Sequence, residues 1–314
     1  MERVACNLCG SQESMVLYAD LPDMLLRRRE VTATLVRCCA CGLIYQNPRP
    51  TREEIGQHYP DRYDSYNYRD DVRKGCALSR WAAAYGIAKR CRYVTRHKRG
   101  GVLLDVGCST GLFLQGMRKH GYWQLCGVEP SNYAASIARQ KGLEVITGTL
   151  ENTAFPAESF DAVTMWDVIE HVHDPLGTLH YLAHILRPDG LLVIRTPNFD
   201  SWDARLFGPY WSGFEPPRHL HIFTPHTISA ALKQCGFTPI QIDCRSGGYM
   251  AFLLSLRFKL SYSRMSSQSQ ERLLRLLYHP ISRMLAAPIF TLSGMGLKGP
   301  QMVVVAAREA VHHD

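Results

Sequence analysis

The sequence predicts an α/β protein: a doubly wound, mostly parallel seven-stranded sheet with a small cysteine ribbon at its N-terminus. Three observations carry that expectation. Residues 101–114, Gly-Val-Leu-Leu-Asp-Val-Gly-Cys-Ser-Thr-Gly-Leu-Phe-Leu, read as a short buried strand turning tightly into a helix. From Gly101 to about residue 198, short apolar runs alternate with helical segments in the rhythm of βαβ units. Upstream, two Cys-x-x-Cys knuckles are separated by a stretch containing β-branched residues.

Taken in order, residues 1–50 form the ribbon. Cys6-Asn-Leu-Cys9-Gly and Cys38-Cys-Ala-Cys41-Gly each turn tightly enough to aim two thiolates at one ion, and together they supply the closed tetrahedral shell of structural zinc. Cys39 is the spare, because using it spoils the spacing; thiols that share no ion are the alternative. Residues 51–100 read as a linker and a basic helix. Thr51 and Glu54 suit a capping box on a short helix. Tyr59, Tyr63, Tyr66 and Tyr68 interleave with Asp and Arg, too polar for core, and make either a lid on the substrate side or an exposed linker. Residues 77–98 read as an amphipathic helix whose C-terminal cations complement its dipole. Residues 101–314 hold the sheet, with a helical insertion near 249–298.

Asp105 ends the first strand of that sheet, and Gly107 to Gly111 make the turn that follows, where an open α/β sheet binds its ligand. Glu129 ends the second strand 18 residues past Gly111, so its carboxylate suits the two hydroxyls of a ribose. A dinucleotide turn would read G-x-G-x-x-G; here an acid precedes an Asp-x-Gly-x-x-x-Gly spacing, which favours a cationic ligand over a diphosphate. At these residues the chain resembles the class I S-adenosylmethionine-dependent methyltransferases, which have a Rossmann-like sheet. The resemblance implies a cofactor site made of Asp105, Gly107, Cys108, Ser109 and Gly111 in the turn, Glu129 and Pro130 at the ribose, and Glu151 at the adenine, with Asp167 beside them. Thr149 departs from that pattern, since many relatives carry an acid there.

The strands continue as Val145-Ile146, Phe160–Trp166 and Leu191–Arg195, and the chain closes on a strand at 301–308. Asp167, Glu170 and His171, at i, i+3 and i+4, would share one helical face. That pattern resembles the polyprenyl-phenol O-methyltransferases and implies either a divalent cation such as Mg²⁺ or, as the favoured reading, hydrogen bonds to the cofactor loop. Beyond the fifth strand stand His219 and His221, on the side where substrate binds. Histidine accepts a proton near neutrality with little tuning. The layout of ribbon, sheet, His219 before Phe223-Thr224, and Gly247-Gly248 is similar to the nucleotide-sugar C-methyltransferases. That similarity implies His219 as base with Tyr66 or Tyr68 as orienting phenols, and an acceptor that is a phosphorylated or nucleotide-linked sugar or glycan precursor, methylated on oxygen or carbon. Arg218 stands where that family has a glutamate, and its extra C-terminal domain is missing.

Charge is uneven. Residues 1–100 carry 18 Lys/Arg against 11 Asp/Glu, residues 101–244 carry 9 against 14, and residues 245–298 carry 8 against 1. Basic flanks suit nucleic acid, anionic lipid or a phosphorylated substrate, or are simply solvated. The stackable aromatic platform of RNA readers is not evident, so a zinc-ribbon RNA methyltransferase is the second reading. Residues 268–290 read as a basic amphipathic helix kinked or split at Pro280, for peripheral membrane contact or for packing at the active-site mouth or a dimer seam. With no signal-peptide core, no apolar run of about 18 residues and eleven cysteines, the expected setting is the cytoplasm, with reduced thiols.

Overall fold

Valine and leucine runs bounded by glycine give strands buried on both faces, and these build the main sheet. The computed structural model describes residues 1–59, 77–245 and 247–309. Three strands come first: β1 (Ser14–Asp23), β2 (Arg28–Cys38) and β3 (Ile44–Gln46). Next are α1 (Ala77–Thr95), β4 (Gly100–Val106), α2 (Leu112–Met117), β5 (Tyr122–Glu129), α3 (Asn132–Gln140), β6 (Glu144–Thr147) and β7 (Phe160–Trp166). They are followed by α4 (Pro175–Ile185), β8 (Leu186–Pro197), α5 (Trp202–Phe207), β9 (His221–Ile222), α6 (Pro225–Gln234) and β10 (Phe237–Asp243). Last come α7 (Gly248–Ser261), α8 (Ser267–Tyr278), α9 (Pro280–Ser293) and β11 (Gln301–Arg308).

The seven-stranded sheet runs β10-β11-β8-β7-β4-β5-β6. Strands β6, β5, β4, β7 and β8 are parallel, and β11 lies antiparallel between β8 and β10. The chain reverses its direction of travel at β4, which opens a ligand crevice at the carboxyl ends of β4, β5 and β7. The seven-stranded, doubly wound architecture is therefore the one expected.

The second sheet, β1-β2-β3-β9, takes its last strand from far along the chain. Ile44 pairs with Ile222 and Tyr45 with His221. Gln46 N–H donates to the Leu220 carbonyl, and the N–H groups of Leu220 and His221 donate to the Glu170 carbonyl at 2.8 and 3.1 Å. The segment carrying both histidines is thus clamped between the ribbon and the turn after β7. Ribbon side chains Cys6, Val36 and Tyr45 share one apolar core with Val106 and Met165 of the main sheet and Ile169 of the turn after β7.

A buried ion pair reinforces that clamp. Arg218 meets Asp23 of β1 in a bidentate pair at 2.8 and 2.9 Å, with both side chains fully buried. Asp23 also accepts from Arg28 and from Leu26 N–H, and Arg218 Nε donates to Glu215 at 3.0 Å. Burial raises the Asp23 carboxyl, but Arg218, the Leu26 amide and Arg28 outweigh that and hold it below its ordinary value.

Local departures have local reasons. Thr51 and Glu54 do exchange their two bonds, but ahead of a single 3₁₀ turn at Ile55–His58 that starts after Glu54. The helix expected over 77–98 stops at Thr95. Asp167 to His171 form a turn and not a helical face, because Asp167 takes a left-handed φ of 60° and its N–H bonds the Arg195 carbonyl. The basic helix near 268–290 is two helices, α8 and α9, meeting at His279, which caps Ile281 N–H ahead of the proline-led second helix.

Candidate active site

Gly107 and Gly111 both take left-handed φ values, 69° and 75°. A Cβ on Gly107 would meet the Val168 side chain at 2.6 Å, and one on Gly111 would meet Leu143 at 2.1 Å, so only glycine fits either position. The N–H groups of Gly107 and Cys108 bond the Val128 carbonyl, which folds the turn across the end of β5. Glu129 is 3% exposed, and its two oxygens accept from Ser109 and Ser131 N–H at 2.8 Å each. A carboxylate has further lone pairs for hydroxyl donors, so this fixed acid fits the ribose of an adenosyl ligand. Burial raises its carboxyl, and the two amides pull the other way. Asp105 is buried beneath the turn and accepts from Thr164 at 2.6 Å. Burial drives its carboxyl up to about 7, Thr164 and Arg90 oppose that, and Glu129 adds to it.

The four thiols expected to act together do meet. Cys6, Cys9, Cys38 and Cys41 lie within 4.8 Å of one another, with Sγ pairs at 3.4 Å (Cys6–Cys41) and 3.5 Å (Cys9–Cys38). A tetrahedral ion about 2.3 Å from each sulfur sets the sulfurs about 3.8 Å apart, so the cluster fits one. Cys39 is exposed and stands outside it. Burial raises Cys38, but backbone amides of Cys41 and Ala40 with the neighbouring cysteines bring that thiol down to about 7.

On the acceptor side, Asp167 forms a bidentate pair with Arg195 at the end of β8. Burial raises Asp167, yet the Arg195 charge holds it below the ordinary carboxylate range. Asp167 therefore does not join Glu170 and His171. Those two meet His219 instead, with one ligand-type atom of each within 4.8 Å of the others. Two imidazoles and one carboxylate are not the all-oxygen donor set that Mg²⁺ demands. The His171 and His219 rings lie edge to face at 4.5 Å, and the Tyr59 hydroxyl is 2.9 Å from His171 Nδ1. Burial, then the charge of His219, lowers His171 to about 4.

His219 Nδ1 lies 2.8 Å from the Gly213 carbonyl, which can only accept. The neutral ring therefore carries its hydrogen on Nδ1 and leaves Nε2 as a lone pair. Glu215 Oε2 stands 3.7 Å from that Nε2. A carboxylate partner for the histidine is thus present, not directly before it where Arg218 stands, but four residues back.

Of the other residues expected here, Glu151 is exposed and paired to Arg52 at 2.7 Å, and Pro130 is exposed just past the end of β5. Cys108 is buried with its sulfur against Gly127. Tyr66 and Tyr68 lie outside the described residues. Sequence reasoning missed Glu215 and Arg195. Their signals were slight: Glu215 precedes His219 by one helical turn, and Arg195 pairs in register with Trp166, the residue before Asp167.

The chain matches the methyltransferase-domain family over residues 79–242 and belongs to it. Its seven-stranded, mostly parallel sheet is that of the S-adenosylmethionine-dependent methyltransferases. Over 166 residues it is 31% identical to the ubiquinone biosynthesis O-methyltransferase of Alkalilimnicola ehrlichii, covering 47% of this chain and 62% of the relative. To the protein of the same description from Salmonella paratyphi A it is 34% identical over 144 residues, 42% of this chain and 59% of the relative. The chain thus spans about three fifths of these relatives. Among solved structures, the [4+2]-cyclase SpnF aligns with a TM-score of 0.53 at 18% identity, over 83% of this chain and 97% of its own. A protein from Galdieria sulphuraria, described as a sarcosine dimethylglycine methyltransferase, aligns with a TM-score of 0.51 at 16% identity, over 79% and 99%. These likenesses show the fold alone, and a cyclase among them illustrates that fold does not name chemistry.

Burial, then the Arg49 charge, lowers His221 to about 3. Below an unfolded value of about 6.5 the unfolded chain binds a proton that folded His221 refuses, so its stabilising effect is present above that pH and lost as pH falls toward about 3. Asp105, with a raised carboxyl, has the opposite sign, so a difference measurement is needed. Urea unfolding of wild type and His221→Gln between about pH 6.5 and 4 should diverge by about 1.4 kcal/mol per pH unit, with wild type falling faster. Parallel curves would contradict the assignment.

Proposed function

We propose that this protein transfers a methyl group from S-adenosylmethionine to a hydroxyl oxygen of a small molecule, with His219 as proton acceptor. Family membership, the Gly107–Gly111 turn and Glu129 support the donor. The relatives named as O-methyltransferases support oxygen as the methylated atom. The sugar or glycan acceptor expected from the sequence draws no support from them.

The residues that would hold the donor are the 107–111 turn and Glu129, the latter accepting ribose hydroxyls. When bound, S-adenosylmethionine supplies a methyl group activated by its sulfonium charge. With a hydroxyl acceptor bound, His219 Nε2 would take the hydroxyl proton, and Glu215 at 3.7 Å would stabilise the imidazolium that results. Neutral His171 beside it adds no opposing charge near neutral pH. The observation that carries this reading is the Gly213 carbonyl 2.8 Å from His219 Nδ1, which in the neutral ring leaves Nε2 as the lone pair.

Methyl-labelled donor incubated with separate pools of phenolic quinone precursors, nucleotide-linked sugars and tRNA should label the first, with the methyl on oxygen by carbon NMR. On that acceptor His219→Ala should lower turnover by about 10²–10⁴, while calorimetry finds donor affinity unchanged. Label confined to tRNA, or a variant of full activity, would overturn the reading.

We also infer one structural zinc ion on Cys6, Cys9, Cys38 and Cys41, supported by the tetrahedral fit of the sulfurs. Purified protein should hold about one zinc per chain, lost in Cys38→Ser and kept in Cys39→Ser. Metal analysis with the reverse pattern would refute that ligand set.

A further inference from the structure

We propose that helices α8 and α9 dock the protein on an anionic lipid surface. This goes beyond the proposed reaction and does not depend on it. Along α9, Ile281, Met284, Leu285, Ile289 and Leu292 are 53–70% exposed. Their spacing of three and four residues puts them on one stripe. Leu276 of α8 is exposed, as are Trp202 and Leu206 of α5. Single exposed leucines are ordinary, but a continuous helical stripe of large apolar side chains marks a contact surface.

These helices are seated firmly on their inner side. The Phe290 ring of α9 packs on Tyr249 at 5.2 Å and Phe252 at 5.4 Å, both from α7, and Phe252 packs on Phe207 of α5 at 5.2 Å. The Tyr249 hydroxyl donates to the Leu277 carbonyl of α8 at 2.7 Å. Among the described residues nothing covers the outer stripe.

Charge selects the occupant. Residues 245–298 carry 8 Lys/Arg against 1 Asp/Glu, and Arg257, Arg264, Arg272, Arg275 and Arg283 are all exposed. A symmetric contact with a second copy would set this basic surface against itself. A nucleic acid would match the arginines and leave the leucines and isoleucines wet. Anionic lipid offers both negative headgroups and an apolar boundary. Among the described residues no helix is long and apolar enough to cross a membrane, so the proposed contact lies along the surface. The same α7 bonds the loop that orients the proposed base: Ser212 N–H donates to Ser255 Oγ at 2.9 Å, next to Gly213.

The test is flotation of the full chain with phosphatidylcholine vesicles, with and without phosphatidylglycerol. Wild type should float only with the anionic vesicles and dissociate as salt rises. Leu285→Glu combined with Ile289→Glu should lose about tenfold or more of the bound fraction, since two leucine-sized side chains leave the lipid. Its circular dichroism and donor affinity should remain those of wild type, because both positions are exposed. Arg275→Gln with Arg283→Gln should weaken binding and flatten its salt dependence. Three outcomes would overturn the proposal: double-Glu flotation equal to wild type; a wild-type dimer in sedimentation that the double-Glu variant splits while neither floats; or tRNA binding lost in the arginine variant with no flotation at all.

Discussion

The ion pair of Arg218 and Asp23 is the constraint from which the arrangement of this active site follows. The two side chains are fully buried, and 195 residues of chain separate them. Removing two charges from water costs several kcal/mol per ion, and attraction offsets this only when the remaining donors and acceptors are filled. Here they are. Arg218 donates also to Glu215 and the His58 carbonyl, and Asp23 accepts also from Arg28 and the Leu26 amide. Two cations and two anions balance within the cluster. The cluster fixes the 215–222 segment against β1.

From that pair the site assembles outward. Arg218 precedes His219, so fixing its guanidinium on β1 fixes the backbone that carries the imidazole. The Gly213 carbonyl then sets the ring's tautomer, and Glu215, shared between Arg218 and His219, faces the free nitrogen. Because β9 completes the ribbon sheet, the ribbon is tied directly to the segment that carries His219 and His221 and is not an appendage to the main sheet. The donor side is built differently, from short-range turns at the ends of β4 and β5. Donor and acceptor halves can therefore vary separately in a fold of this kind.

That difference explains what could be read from the sequence. The turn from Gly107 to Gly111, the acid at Glu129 and the two cysteine knuckles are local patterns whose spacing reports the chemistry directly. The parallel sheet follows from apolar runs interrupted by helices. Arg218 looked like the loss of a glutamate because its partner lies in β1, at a distance no spacing rule reaches. Asp167 seemed bound to Glu170 and His171 because they are close in sequence. A left-handed residue and the charge of Arg195 on the neighbouring strand send it elsewhere. Among the described residues, the phenol that reaches His171 belongs to Tyr59. Periodicity is blind to each of these, since each is decided by packing between distant segments.

The ribbon, acting through Asp23 and Arg218, holds the loop in which His219 Nδ1 meets the Gly213 carbonyl. Nitrogen NMR of histidine-labelled protein tests it most directly, with the His219 signals assigned by their loss in His219→Gln. In the neutral His219 ring of wild type, Nδ1 should give a protonated, pyrrole-type signal and Nε2 a bare, pyridine-type one. In Asp23→Asn, which keeps the shape and removes the charge, the two signals should move toward a common average as the loop loosens. A proton on Nε2 in wild type, or spectra unchanged by Asp23→Asn, would contradict the account.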